Sequence, residues 1–264
     1  MKKAVLMKIS MLVLCSMFLL STVGTALATE PGYTLMEAYQ TNAVTVDGKW
    51  TSTSEWSDAY ILPMVGTTLG VNGIWAYKMV MGDTYLMSFL IESPDNTNDA
   101  TDKWVICIDG ANDGGSTPKS DDIKIEITGH TTLTMYTGSA TGWTLMANKG
   151  VTWKDSLATS TYNSASHYIL EVQADKGQLG SWGSSPPPHG VYVSMYDAST
   201  PSKGTVAWPP TSPDNPGRWG SIATYDTAVP EGFGIAILAV LSTVAVFATM
   251  ALRKSKSGSL IQKL

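Results

Sequence analysis

The chain has 264 residues, 44% of them hydrophobic, with nine tryptophans, eleven tyrosines and a formal charge of −5 at pH 7. The stretch from Thr29 to Pro230 carries ten Lys and Arg against twenty-one Asp and Glu, a balance of −11, which argues against nucleic acid or an anionic lipid surface as its ligand. Its length and aromatic content suffice for one well-buried core, and its single cysteine, Cys107, excludes an internal disulfide and a Cys-x-x-Cys-His haem attachment.

In chain order, Met1-Lys2-Lys3, the mostly apolar run Ala4 to Gly24 and the small-x-small triplet Ala26-Leu27-Ala28 predict a secretory signal peptide over residues 1–28, with an uncleaved N-terminal anchor as the other reading. Residues 29–223 then read as one extracellular domain. "WAYKMVMGDTYLMSFLIES", Trp75 to Ser93, predicts two strands joined at Gly82-Asp83. Met79, Met81 and Met87 alternate along them as core methionines of a hairpin do, although thioethers opposite a histidine also suit non-covalent haem. "DKWVICIDGANDGG", Asp102 to Gly115, is a strand running into an acidic, glycine-rich turn, and its Cys107 reads as a small buried apolar residue. That turn departs from a helix-loop-helix calcium loop at Ala111 and Ser120. Still, Asp109, Asn112 and Asp113, with Asp121 and Asp122 returning on the next strand, gather hard oxygen ligands suited to calcium. A solvated turn is the competing reading, because Asp, Asn and Gly dominate turns in general.

Further on, Ile123, Ile125 and Ile127 alternate with Asp122, Lys124 and Glu126, and Val191, Val193 and Met195 alternate with Tyr192, Ser194 and Tyr196. The first member of each set is expected inside and the second outside. Pro186-Pro187-Pro188 predicts a rigid loop. His130, His167 and His189 are scattered, and no GxSxG, HExxH or phosphate loop occurs, so catalysis is not expected. With no amphipathic helix between the termini, the domain is expected to be all-β, an antiparallel β-sandwich. A short linker, residues 224–232, precedes Phe233 to Leu252, twenty residues without a charge and long enough to span a bilayer. The basic residues in the tail, 253–264, predict a cytoplasmic end and an outward-facing domain, with a buried core helix as the alternative for the apolar run.

"VTVDGKWTSTSEWSDA" (Val44 to Ala59), "VICIDG", "HYILEVQA" (His167 to Ala174), "VYVSMYDA" and "PGRWGSI" occur in an order that resembles the DOMON-like sandwich superfamily, which includes family 9 carbohydrate-binding modules. The resemblance covers nearly the whole exterior domain and implies a jelly-roll or immunoglobulin-like sandwich. The function it implies is a surface-anchored, non-catalytic module that binds a glycan or polysaccharide. Haem-dependent electron transfer is a first alternative and a structural envelope protein with no small ligand a second. Alignment with the sugar-binding modules would place polar contacts at Lys124, Glu126, Tyr192 and Ser194, an aromatic platform at Trp208 and hydroxyl donors at Arg218. The chain departs from that pattern in the loop before the "ID" strand, where Asp99 stands near the position of a sugar-clamping aromatic. Val229-Pro230-Glu231-Gly232, the apolar span and the basic cluster together resemble the tripartite C-terminal sorting signals of prokaryotic, including archaeal, surface proteins. A cleaved tail and a permanent anchor both fit that arrangement.

Overall fold

Two antiparallel hairpin systems face each other in the computed structural model, which describes residues 30–37, 42–66, 73–81, 85–180 and 189–224. The predicted signal peptide, the Gly82-Asp83 turn, the proline run and the apolar span with its basic flank lie outside those residues. The strands are β1 (Thr34–Glu37), β2 (Tyr60–Pro63), β3 (Ile74–Met81), β4 (Tyr85–Glu92), β5 (Lys103–Asp109), β6 (Asp122–Thr128), β7 (Thr132–Ser139), β8 (Gly142–Met146) and β9 (Val151–Ala158). They continue with β10 (His167–Asp175), β11 (His189–Tyr196), β12 (Thr205–Trp208) and β13 (Gly220–Thr224), and one short helix, α1 (Lys176–Leu179), follows β10. One sheet has the order β1-β13-β11-β5-β6-β7-β8, with β12 also paired to β11, and the other the order β2-β3-β4-β10-β9. Among the described strands, pairing is antiparallel except between β1 and β13, which run parallel. Among the described residues no helix is long and apolar enough to cross a membrane.

The period of two in each strand builds the core. Trp104, Ile106 and Ile108 of β5, Ile123, Ile125 and Ile127 of β6, and Val191, Val193 and Met195 of β11 point at Trp75, Tyr77 and Met79 of β3, Met87, Phe89 and Ile91 of β4, and Leu170 and Val172 of β10. Each such side chain contributes roughly 1.5–3 kcal/mol by leaving water, and the alternation makes any one-residue slip in register unfavourable. Met79 and Met87 are therefore core residues.

Alternation by itself predicts two wet outer faces, and here the structure differs. On the five-stranded sheet the outward residues Lys78, Ser88, Glu92 and Glu171 are each no more than 1% exposed, because the irregular segment 42–59 lies across them as a third layer. Glu171 is the main attachment. Its carboxylate accepts the Trp56 indole N–H at 2.8 Å and the backbone N–H groups of Asp47 and Gly48, both at 2.9 Å. Burial pushes the Glu171 carboxyl up to about 7, although these three donors pull the other way. Lys78 Nζ donates to the carbonyls of Asn42 and Glu55 and to Asp58 Oδ1, so a buried cation is held by oxygen from the same segment. Glu55 in turn accepts from the N–H groups of Thr45 and Thr51. Close approach requires glycine at one point: Gly48 has φ +77°, and a Cβ there would lie 2.5 Å from the Asp155 carbonyl carbon.

Replacing Glu171 by Gln leaves one acceptor oxygen and turns an amide NH2 toward the segment's own donors. Unfolding of the full chain by denaturant should show a loss of about 2–4 kcal/mol, the cost of one or two unsatisfied buried donors. Unchanged stability would mean that the segment is held by other contacts.

Candidate functional site

Where the covering segment meets the β9–β10 connection, it leaves an open cleft of about 400 Å³ lined by Trp50, Thr53, Ser57, Ala59, Tyr60, Ile61, Thr161 and Tyr162. Its two aromatic walls are positioned by short-range chemistry. Residues 160–163 form a tight turn in which Ser160 Oγ accepts the N–H groups of Tyr162 at 3.1 Å and Asn163 at 3.0 Å, a hydroxyl-capped turn of the kind serine favours. That turn carries Tyr162 to within 5.7 Å of Trp50, centroid to centroid, at an interplanar angle of 50°.

Both walls are tied to one side chain, the buried Glu92 at the end of β4. Glu92 Oε1 accepts the Trp50 indole N–H at 2.8 Å, while Oε2 accepts the Ser160 hydroxyl at 2.9 Å and the His167 Nε2–H at 3.1 Å. His167 Nδ1 lies 2.8 Å from the Ala165 carbonyl, so both ring nitrogens face acceptors. Burial draws the His167 pKa down, but the hydrogen bonds to Glu92 and Ala165 outweigh it and the net shift is upward from 6.5. The lining itself is hydroxyl, aromatic and, at Ala59 and Ile61, aliphatic, with no carboxylate, amine, imidazole or thiol among its side chains.

The ligand positions expected from the resemblance lie on the other sheet, and the structure separates them. Trp208 is a core residue, 5% exposed. As the register partner of Val193 it turns inward, packing 4.9 Å from Trp75 and 5.6 Å from Tyr33 between ring centroids, which removes it as an exposed platform. Tyr192 and Ser194 do point to the outer face, but both are buried because the loop 209–219 folds over them. Tyr192 and Cys107 pack there with Val105, Ala207 and Trp219, and burial holds the Cys107 thiol far above its usual range. Arg218 is exposed, with its fork on the Glu30 carboxylate at 3.0 and 3.1 Å. Only Lys124 and Glu126 stay half-exposed together. Lys124 Nζ lies over the rings of Tyr136 at 4.3 Å and Trp143 at 5.0 Å, and Glu126 pairs with Lys103 at 3.2 Å. Trp143 also stacks on Trp219 and donates to Asp214, so its ring is already engaged by protein groups.

The acidic turn is brought together. Asp109 and Asp122 are register partners, both 0% exposed, with Asn112 beside them at 4%. Asp109, Asp113 and Asp121 each place a carboxylate oxygen within 4.8 Å of the others. Burial raises the pKa of Asp122 to about 7, and the charges of Asp109, Asp121 and Asp113 add to the shift. Burial likewise raises Asp109. Elsewhere, His130 is a structural tie. Its ring nitrogens lie 2.5 Å from Asp155 and 3.0 Å from Asp102, and its ring packs on Trp104 and Tyr168. Asp99 is held in the same corner by hydrogen bonds to Asp102 and Thr97.

No family model matches the chain, and no curated protein matches it. Solved structures that resemble it at low identity include two family 9 carbohydrate-binding modules. One is a family 9 carbohydrate-binding module from Caldicellulosiruptor kristjanssonii in complex with cellotriose, 17% identical with a TM-score of 0.47, covering 74% of this chain and 97% of that one. The other is a family 9 module from the same organism in complex with glucose, 16% identical with a TM-score of 0.45, covering 72% and 95%.

Cleft geometry carries its own pH signature. A group whose folded pKa is raised gives stability that is fully present below its unfolded value and lost as pH rises through the folded one. Melting temperature followed from about pH 5 to 9 should therefore show wild type ahead of His167→Gln at the acid end, with the gap closing as pH increases. A pH-independent gap would mean that His167 is held by packing alone.

Proposed function

We propose that this chain is a non-catalytic carbohydrate-binding module, with the Trp50–Tyr162 cleft as its sugar site. One observation carries the reading: the cleft joins fixed aromatic walls to a rim of neutral hydroxyls and has no charged side chain in its lining. A pyranose has apolar C–H faces that pack on an aromatic ring and peripheral hydroxyls that donate and accept hydrogen bonds, and Thr53, Ser57, Thr161, Tyr60 and Tyr162 supply hydroxyls of both kinds. A phosphate, a carboxylate or an amine would need an opposite charge that this lining does not offer. About 400 Å³ falls within the usual range for small-ligand sites. The cleft also lacks a group to act on what it binds: Glu92 is buried and spends its oxygens on Trp50, Ser160 and His167. The signal peptide and apolar span read from the sequence place such a module on the outer side of a membrane, anchored through its C-terminal segment.

Calorimetric titration with a panel of neutral oligosaccharides, glucose and cellotriose among them, tests the reading. Binding should weaken at least about tenfold in Trp50→Ala and in Tyr162→Ala, the loss expected for a central aromatic contact; Tyr162→Ala should melt close to wild type, whereas Trp50→Ala should melt lower because the buried Glu92 Oε1 loses its donor. Lys124→Ala and Glu126→Ala should bind normally. Loss of binding in these last two, with the cleft variants unaffected, would move the site to the opposite sheet. No binding by any neutral sugar would remove the carbohydrate reading.

A further inference from the structure

We infer that His167 is the positioning residue of the cleft, a proton-dependent latch that sets both aromatic walls, so that the hold on a neutral sugar weakens as pH rises. The inference rests on the sugar reading for its ligand, while the latch itself belongs to the fold.

Hydrogen-bond directions define the latch. His167 is 0% exposed, and its two ring nitrogens face acceptors. Nδ1 lies 2.8 Å from the Ala165 carbonyl, and Nε2 lies 3.1 Å from Glu92 Oε2, an oxygen of a carboxylate that already takes the Trp50 N–H and the Ser160 O–H. A neutral imidazole donates from one nitrogen only, so satisfying both contacts takes the imidazolium. Once the proton leaves, either Nδ1 turns a lone pair on the Ala165 carbonyl or Nε2 turns one on Glu92. Two buried acceptors then face each other, a costly arrangement away from water.

Relief of that contact moves a wall. Ala165 belongs to the loop that carries Tyr162: its N–H donates to Asn163 Oδ1 at 2.9 Å, and the N–H groups of Tyr162 and Asn163 both reach Ser160 Oγ. Backing Ala165 away therefore takes the Tyr162 turn with it. Turning Glu92 away instead pulls on Ser160 through one oxygen and on the Trp50 indole through the other. His167 has little room of its own, being fully buried with its backbone paired to Ala158 of β9.

The surroundings leave this proton to one charged partner. Strand β4 presents Glu92. Loop 159–166 carries no charge, and Tyr162 is its one titratable residue. Strand β9 places Ala158 opposite His167, and its nearest charge on that face, Lys154, stands opposite Glu171. In the covering segment Asp47 accepts from Lys49 and Thr51, Glu55 from Thr45 and Thr51, and Asp58 from Lys78. Asp95, whose carbonyl takes the Tyr168 N–H, turns a carboxylate oxygen to Thr97. Burial lowers the His167 pKa, the bonds to Glu92 and Ala165 raise it, and the net shift is upward from 6.5. The latched form is thus present below that folded value and lost as pH rises through it. Glu171, pushed up to about 7, holds the covering segment at another point, so the decisive quantity is the difference in pH slope with and without His167.

By reciprocity, a sugar that needs both walls in place strengthens proton binding at His167 by the factor with which the proton strengthens sugar binding. The full chain is titrated calorimetrically with cellotriose between about pH 5.5 and 8.5, the range in which histidines change charge. Wild-type affinity should fall about fivefold or more across it, and buffers of different ionisation heat should show proton uptake on binding. His167→Gln, whose amide donates to Glu92 and has no proton to lose, should bind more weakly than wild type at the acid end with a flatter slope, the two curves converging as pH rises. A merely structural histidine would instead give a constant offset. If His167→Gln fails to fold, His167→Asn, with its amide nitrogen near the Nδ1 position, takes its place. Without any sugar, the fluorine resonance of Trp50 in fluorotryptophan-labelled full chain, assigned through Trp50→Phe, should shift with pH in wild type and by less in the variant. Equal pH slopes in wild type and variant, in affinity and in this resonance, would overturn the inference and leave the sugar reading intact. Absence of cellotriose binding at every pH would count against the sugar reading, and the Trp50 resonance then decides: a titration diminished in the variant sustains the latch, and one common to both chains overturns it.

Discussion

Burial of Glu171 is the constraint on which the rest of this architecture hangs. A carboxylate on the outward face of a sheet strand is ordinarily solvated; covering it is favourable only if donors arrive with the cover. Segment 42–59 brings three, from Trp56, Asp47 and Gly48, and the same layer brings oxygens to Lys78. Polar pairing of this kind adds less net stability than apolar packing but is directional. It fixes where the segment lies and so where Trp50 stands. The cleft is a by-product of that placement.

The two sheets use cover in different ways. On the five-stranded sheet the cover is polar at its attachment points and leaves an open cleft at its margin. On the eight-stranded sheet the loop 209–219 seals Val105, Cys107, Tyr192 and Trp219 under an apolar patch, and the loop 110–121 seals two aspartates. Apolar cover needs no partner beyond itself. Sealed carboxylates do, and that difference is why one end of the eight-stranded sheet is inert packing while the other gathers charge.

Much of the sandwich was legible in the sequence, because alternation is a local property. Ile123, Ile125, Ile127, Val191, Val193 and Met195 fall on the inner face as their spacing predicts, the Trp75–Ser93 segment forms two paired strands, and Cys107 is buried. What alternation cannot report is a cover arriving from elsewhere in the chain, which is why Tyr192 and Ser194, correctly outward, are nevertheless buried. Trp208 was misplaced for another reason: as the last residue of a four-residue strand it takes its side from the register with Val193, a non-local pairing. The parallel β1–β13 contact joins residues nearly two hundred positions apart and left no trace in the sequence. Trp50 and Tyr162 were equally hidden, since they meet through a ring contact between distant segments and through Glu92, far from both in the chain, while the acidic turn was visible because its chemistry is concentrated within about a dozen residues.

Glu92 has one further consequence. Because Trp50 hangs from one of its oxygens and the turn that carries Tyr162 from the other, the two aromatics that line the cleft are anchored to one carboxylate before any guest arrives. A molecule entering it freezes few side chains, so little of the contact energy is spent on ordering the host. The same linkage means the two walls are energetically coupled. Disturbing one loosens the carboxylate that holds the other, and the effects of altering both fall short of, or exceed, the sum of the separate effects.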